Sequence, residues 1–369
     1  MNTNKNIKVI ISGGGTGGHI FPAIAIAKAL KKINENIEIL FVGANGKMEM
    51  EKVPQAGFKI VGLNIAGFQR RLTLQNLSFP FKLISSLWNA YSIVKNFKPD
   101  VAIGVGGYAS GPTLKVANWQ GVPTVLQEQN SLPGVTNQLL GKKASIVCVA
   151  FENMDKYFDA QKIVLTGNPI RENIVSNIIV RDKAVAEFNF VSNKKTVFIT
   201  GGSLGARAIN DAIAIQIQKL VDADIQVIWQ TGKIYLQEFK KYETQYPNNI
   251  RVMDFIPNMD IAYSAADIVV SRAGGTISEL AILAKPSILL PSPNVAEDHQ
   301  TKNVMALVEK DAAILVKDTE AKNKLVDTII DLLNNMSKQK SLSENILKLA
   351  RPNAANDIAQ QILKLIDKK

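Results

Sequence analysis

Short apolar runs alternate with longer amphipathic stretches along the whole chain. In the first half the runs fall at 7–12, 37–42, 58–63, 101–105, 123–126 and 146–149. Each is short and β-branched or apolar, and turn residues follow most of them, which predicts strands. Helical patterns such as "PAIAIAKALKKI" and "PFKLISSLWNAYSIVKNF" separate them. In the second half the strand patterns fall at 195–200, 225–229, 250–255, 267–271, 287–290 and 312–316, with helices again between them. This alternation predicts an α/β protein with parallel sheets covered by helices on both faces. "VIISGGGTGGHIFPAIAIAKAL" from Val9 and "VFITGGSLGARAINDAIAIQIQKL" from Val197 are alike. Each reads as strand, glycine loop, then an alanine- and isoleucine-rich helix. Two Rossmann-like domains are therefore expected, 1–168 and 169–345, with hinge motion where Gly and Pro interrupt the pattern in "TGNPIREN". The amphipathic tail, 346–369, is expected as a last helix returning to the first domain. Two facing α/β domains place a cleft at the carboxyl ends of their strands, where such folds bind ligands.

The glycine loops sharpen this expectation. "ISGGGTGGHIFP" satisfies G-x-G-x-x-G through Gly13, Gly15 and Gly18. A loop running from a strand into a helix presents unpaired amides and a positive dipole end, which favours an anion. A dinucleotide site also wants an acidic residue at the tip of the second strand. Here that tip is "LFVGANGK", without Asp or Glu, and Glu49 lies well past it. No G-K-[ST] follows either loop, which excludes a Walker A site. Further glycine loops sit at expected strand ends: "GVGGYASGP", "GGSLGA" and "RAGGTISE". In the last, Thr276 and Glu279 match a capping box, which competes with a ligand-binding role for Glu279. Of the two histidines, His19 ends the first glycine loop, with Pro22 at a position suited to an early helix, and His299 lies in a polar stretch. A lone histidine is more often structural, but His19 at a strand-end loop is placed to accept a proton near neutral pH. "DAD" at 222–224 precedes a strand and reads as a surface turn rather than a metal motif.

Charge and composition narrow the partners. Lysine and arginine number 43 against 32 acidic residues, a net charge of +11. That excess suits an anionic partner, or simply a basic soluble protein. The lysines are scattered, without aromatic interleaving, so nucleic acid is not expected. The single cysteine, Cys148, reads as a buried strand residue in a reducing compartment. Neither a secretory leader nor a spanning helix is expected. In the segment 70–98, Phe81, Ile84, Trp88 and Tyr91 share a helical stripe, with Leu77, Arg70, Arg71, Lys82 and Lys95 nearby. Two readings stay open: the stripe packs on the sheet, or it forms an interfacial patch drawn to anionic lipid, which Trp119 could join.

The motifs "GGTGGHIFPAIAIA", "GVGGYASGP", "EQNSLPGVTN", "TGNPIR", "GGSLGA", "SRAGGTISELA" and "DHQTKN" resemble, in order and over nearly the whole chain, the MurG family. These are the N-acetylglucosaminyltransferases of peptidoglycan synthesis, with the two-domain GT-B fold. The resemblance implies inverting transfer of N-acetylglucosamine from its UDP sugar to lipid I, undecaprenyl-diphosphate-linked muramoyl-pentapeptide. No cofactor is expected, and since no D-x-D motif sits at a likely strand end and helix amino termini can take a cation's place, no metal is expected either. The resemblance also implies a peripheral place on the cytoplasmic face of the membrane, with an anionic membrane surface and cell-wall synthesis proteins as further partners. By the same resemblance His19 is the candidate base, and Thr16, Gly17 and Gly18 approach the sugar diphosphate. Asn130 would contact the donor sugar. Arg171 and Ser203 would hold the nucleotide and its phosphates. Ile256 would meet uracil through its backbone. Gly275 and Thr276 would begin a helix aimed at diphosphate, Glu279 would grip the ribose, and Gln300 the sugar hydroxyls. Tyr108, Gln127 and Glu128 fall on the acceptor side, and Leu77, Phe81 and Trp88 on the membrane side. "QEQN" departs from an expected "HEQN", placing the neutral amide of Gln127 where a histidine is expected. The alternatives are another GT-B enzyme of UDP sugars, either an epimerase or a transferase to a different lipid, and a non-catalytic nucleotide-sugar-binding scaffold.

Overall fold

The computed structural model describes residues 6–65, 79–172, 174, 179–293 and 298–367. The chain forms two compact units, Met1–Arg171 with Pro352–Lys369, and Glu172–Arg351.

Among the described residues, the first unit carries strands β1 (Lys8–Ser12), β2 (Glu38–Ala44), β3 (Lys59–Leu63), β4 (Val101–Gly104), β5 (Thr124–Glu128), β6 (Ile146–Val149) and β7 (Ile163–Leu165). They form one parallel sheet in the order β3-β2-β1-β4-β5-β6-β7. Helices α1 (Gly17–Ile33), α2 (Glu49–Gln55), α3 (Phe79–Phe97), α4 (Ser110–Trp119) and α5 (Val135–Gly141) cover it. The strand order reverses between β1 and β4, so the connections leaving these two neighbours diverge and open a crevice at their carboxyl ends. That topology brings the loops 13–16 and 105–109 together.

The second unit repeats the scheme. Strands β8 (Thr196–Thr200), β9 (Gln226–Gln230), β10 (Ile250–Met253), β11 (Ile268–Ser271), β12 (Ser287–Leu289) and β13 (Ile314–Leu315) form a parallel sheet in the order β10-β9-β8-β11-β12-β13. Its order reverses between β8 and β11, whose loops are the third and fourth glycine motifs. The helices that matter below are α6 (Arg207–Ile215), α7 (Met259–Ala265), α8 (Thr276–Ile282) and α9 (His299–Val308). The final helix, α10 (Ala354–Asp367), buries Ile358, Ile362 and Ile366 in the cluster that also holds Ile20, Ile24 and Ala27 of α1. Its apolar residues recur every four positions, and each fully buried isoleucine contributes roughly 1.5–3 kcal/mol.

Several details differ from the sequence expectation. β7 was not anticipated, because three apolar residues at a sheet edge are too few to show a period. Pro22 lies in the second turn of α1 rather than at its start, since the helix already begins at Gly17. In α3 the stripe Ile84, Trp88 and Tyr91 does not pack on the sheet. The inward face is the neighbouring one, with Ala90 and Val94 buried and Leu83 and Leu87 packed against them. Ile84 and Trp88 are 65% and 75% exposed, and Tyr91 is also exposed. Leu77, Arg70 and Arg71 lie outside the described residues, as does the side chain of Phe81. Asp224 has φ 54° in an exposed turn and pairs with Lys194 at 2.6 Å, as a surface turn requires.

Candidate functional site

In the first unit the site begins with the peptide geometry after β1. Gly14 and Gly15 have φ of 152° and 86°, and a Cβ at Gly14 would overlap the Glu49 carboxylate. The loop amides are satisfied from within. Gly13 N donates to Val42 O at 3.3 Å, Gly14 N to Gly106 O at 3.2 Å, and Gly15 N to Glu49 Oε2 at 2.8 Å. The glycine loop is therefore not an open phosphate cradle at Gly13–Gly15. The amides of Gly17 and Gly18, in the first turn of α1, retain the anion-receptive geometry of a helix start. Glu49 lies past the β2 tip in the sequence, yet it folds back there. Its Oε1 accepts from Ala44 N at 3.0 Å, and the residue is 1% exposed. With both oxygens on main-chain amides and no access to solvent, it cannot grip a ribose.

His19 stands at the first turn of α1, half-buried. Its Nδ1 lies 3.0 Å from Gly14 O and 3.3 Å from Thr16 Oγ1. A carbonyl oxygen only accepts, so Nδ1 donates to Gly14 and the neutral ring carries its lone pair on Nε2. The ring occupies the space where a Cβ on Gly106 (φ 92°) would stand, so glycine there lets the two loops meet. Tyr108, two residues on, is exposed. Arg171 lies with this unit, its guanidinium 4.4 Å from the Phe21 ring centre. It is thus placed beside α1 rather than within the unit that carries Ser203.

The "QEQN" segment ends β5. Gln127 is fully buried, its Nε2 donating to Asn168 Oδ1 at 3.3 Å while its Oε1 accepts from Gln129 Nε2. It is a packing element, not a group presented to an acceptor. Glu128 is also buried. It accepts at Oε1 from Asn130 N (3.0 Å) and Asn130 Nδ2 (3.2 Å), and at Oε2 from Asn137 Nδ2 (2.8 Å). Burial pushes the Glu128 carboxyl up to about 7, against the opposing hydrogen bonds from Asn137 and Asn130. Because the folded value is raised, the native state holds this proton more tightly than the unfolded chain. The stability from this group is full below pH ~4.5 and is lost by the time pH has risen through ~7, a change of about 3 kcal/mol. Melting of wild type and Glu128→Gln across this range checks it. The variant should gain on wild type as pH rises, and a constant difference would show that Glu128 ionises normally.

In the second unit the sites come from loops around the β8/β11 reversal. Ser203 is exposed in the loop after β8. Gln230, at the end of β9, ties these loops together. Its Nε2 donates to Thr200 Oγ1 and Gly202 O, both at 3.1 Å, and its Oε1 accepts from Ile256 N at 2.9 Å. A backbone contact from Ile256 to a base therefore falls to its carbonyl. Asn210 of α6 donates to Thr231 O at 3.0 Å and accepts from the buried Trp229 Nε1 at 3.0 Å. Sequence reading missed Gln230 and Asn210. The available signal was a polar residue inside or ending an otherwise apolar buried run.

After β11, Gly275 rather than Thr276 is the N-cap of α8, and no side chain caps it. The expected capping box is absent. Instead Glu279 Oε2 accepts from the buried Tyr263 hydroxyl of α7 at 2.6 Å, which fixes the carboxylate near the start of α8. Gln300, in the first turn of α9, accepts at Oε1 from Ser292 N at 2.8 Å. Asn303 holds the same helix to Ala273 O at 3.0 Å. Thus Gly275, Thr276 and Glu279 are brought together on one turn, and Gln300 braces the loop after β12. Among the described residues no group of three or more His, Cys, Asp or Glu side chains could hold a metal ion.

Residues 9–149 match the glycosyltransferase family 28 N-terminal domain, and residues 196–362 the family 28 C-terminal domain. The chain is 54% identical to the UDP-N-acetylglucosamine--N-acetylmuramyl-(pentapeptide) pyrophosphoryl-undecaprenol N-acetylglucosamine transferase of Flavobacterium psychrophilum, over 98% of this chain and 99% of that one. The crystal structure of Acinetobacter baumannii MurG superposes with a TM-score of 0.76 at 27% identity, covering 97% of this chain and 99% of that one. The UDP-GlcNAc 2-epimerase of Methanocaldococcus jannaschii, in complex with UDP-GlcNAc and UDP, reaches a TM-score of 0.64 at 18% identity, with 97% and 99% covered, a likeness of fold alone.

Proposed function

The chain belongs to glycosyltransferase family 28, and from that premise we infer that it transfers N-acetylglucosamine from UDP-N-acetylglucosamine to the muramoyl-pentapeptide of lipid I, forming lipid II. The observation that carries this reading is the 54% identity, end to end, with transferases of that name.

The chemistry assigns tasks to residues. The donor bond is α and the product bond β, so one in-line displacement inverts the anomeric carbon. The acceptor hydroxyl must lose its proton, and the departing diphosphate must be stabilised. His19 takes the proton at Nε2, the ring nitrogen left basic by donation from Nδ1 to Gly14 O. Main-chain amides of the 201–206 loop other than those of Gly202 and Gly205, which already donate to Thr200 Oγ1 and Gly202 O, act with those at the start of α8 to hold the diphosphate, with Ser203 beside it. Losing one oriented donor in an oxyanion site costs about 2.7–4 kcal/mol, so several acting together support departure of UDP without a resident cation. Glu279, oriented by Tyr263, holds the ribose hydroxyls. Gln300 faces the sugar hydroxyls with its remaining amide group, and the Ile256 carbonyl meets the uracil ring N–H. Thr16, Gly17, Gly18 and Asn130 are assigned to the sugar, and Tyr108 to the acceptor.

The acceptor is lipid-linked, and no helix among the described residues is long and apolar enough to cross a membrane. The exposed Ile84, Trp88 and Tyr91 on α3, with Trp119 60% exposed at the end of α4, form a face suited to a lipid interface on the cytoplasmic side. Lys95 lies 5.9 Å from the Tyr91 ring and Lys115 5.6 Å from the Trp119 ring, placing cations beside the aromatics where anionic headgroups would meet them.

The test is transfer of labelled sugar to a lipid I analogue in anionic vesicles, with chelator present. Labelled lipid II is expected, and Trp88→Glu should weaken vesicle association and transfer together. A labelled sugar epimer formed without acceptor would instead identify an epimerase, and vesicle binding unchanged in Trp88→Glu would remove α3 from the docking face.

A further inference from the structure

We propose that Glu49 is a positioning residue for His19, acting through the Gly14–Gly15 peptide. The two groups hold opposite ends of one peptide unit. Gly15 N donates to Glu49 Oε2 at 2.8 Å, and the carbonyl of that same unit, Gly14 O, lies 3.0 Å from His19 Nδ1. The carboxylate is fixed by a second bond from Ala44 N at 3.0 Å, at the end of β2, and is shielded from water. An anionic acceptor on the N–H polarises the peptide and strengthens its carbonyl as an acceptor. The carbonyl in turn holds the proton on Nδ1 and the lone pair on Nε2. A carboxylate that orients a catalytic imidazole usually touches it directly. Here a peptide bond stands between them.

Three further features are shaped by this arrangement. Gly14 must be glycine because a Cβ would overlap the Glu49 carboxyl, and Gly43 must be because a Cβ would stand 2.5 Å from Glu49 Cγ. The third is the bond from Gly14 N to Gly106 O at 3.2 Å, which anchors the peptide to the loop on which the His19 ring rests. A carboxylate serving only to close the β2 end needs the Ala44 bond alone. The bond to Gly15 reaches across to a different connection, 34 residues away.

The inference rests on His19 acting as the base, and the test separates the two. The chain contains only two histidines, so selective ¹⁵N labelling gives a simple spectrum, assigned by the signals lost in His19→Ala. In the wild-type protein His19 is expected as the Nδ1–H tautomer. In Glu49→Gln the amide can accept from only one of the two main-chain donors and turns its own N–H toward the other. His19 should then show a mixed or Nε2–H tautomer, with kcat lowered about 10- to 100-fold and the KM for UDP-N-acetylglucosamine unchanged. A wild-type circular dichroism spectrum and an amide spectrum with dispersed first-unit signals report that the unit carrying Glu49 is folded in the variant. A wild-type Nε2–H tautomer overturns the proposal without any variant. So does a folded Glu49→Gln that keeps the wild-type tautomer, whatever its turnover. Full turnover in His19→Ala would instead sink the base assignment.

Discussion

His19→Ala is expected to lower turnover by about 10²- to 10⁴-fold while leaving donor affinity close to wild type. The size follows from losing proton transfer in the step that forms the glycosidic bond. The selectivity follows from placement. His19 is held by Gly14 O and Thr16 Oγ1 in the first unit, whereas the groups assigned to the nucleotide, Ser203, Ile256 and Glu279, lie in the second. The side chain is half-buried on the first turn of α1 and contributes nothing to the isoleucine cluster beneath that helix, so the melting temperature should barely change. Steady-state kinetics with a separate UDP titration resolve the two quantities. Near-normal turnover would remove His19 as the base. A parallel loss of donor affinity would place it on the nucleotide instead.

Gly205→Ala is expected to weaken UDP-N-acetylglucosamine binding by more than tenfold. Gly205 has φ 77°, and an added Cβ would fall on the carbonyl oxygen of Thr231, with the Tyr235 ring 3.0 Å away. Neither the backbone of Thr231 nor its surroundings can retreat readily. Asn210 holds that carbonyl at 3.0 Å, and Gln230 holds Gly202 O at 3.1 Å. Left-handed strain of about 1–2 kcal/mol and overpacking of about 1–3 kcal/mol add at one site. A displacement worth only 1.4 kcal/mol in the bound loop is already tenfold in affinity. Gly57→Ala is the matched control. It shares a positive φ of 86° but has nothing within 4 Å of the added Cβ, so it should lose a little stability and no affinity. Calorimetric titration of both variants makes the comparison. Wild-type affinity in Gly205→Ala would mean that the 201–206 loop does not hold the donor.

The sheets were legible in the sequence because strands covered on both faces must be continuously apolar, and such runs stand out from amphipathic helices. β7 escaped because Ile163–Leu165 is too short to show any pattern. The direction of α3 was not legible. Leu83, Leu87, Ala90 and Val94 alternate with Ile84, Trp88 and Tyr91, so the helix has two apolar stripes, and only packing decides which faces inward. The glycine loops marked the strand ends correctly, and His19 stood out by rarity. What they could not reveal was which amides are already taken. Glu49 closes the first loop from 34 residues away, and Gln230 secures Ile256 from 26 away. Both depend on tertiary placement that no local motif encodes. Thr276 and Glu279 show the converse. Their spacing fits a helix cap, but Tyr263 from a separate helix claims the carboxylate.

A crystal structure with UDP-N-acetylglucosamine bound tests the account most directly. The diphosphate should rest on main-chain amides of residues 201–206 and 274–277, with ribose hydroxyls on Glu279. A diphosphate seated instead on the Gly13–Gly15 loop, with Glu49 displaced from the Gly15 amide, would contradict both the donor assignment and the role given to His19.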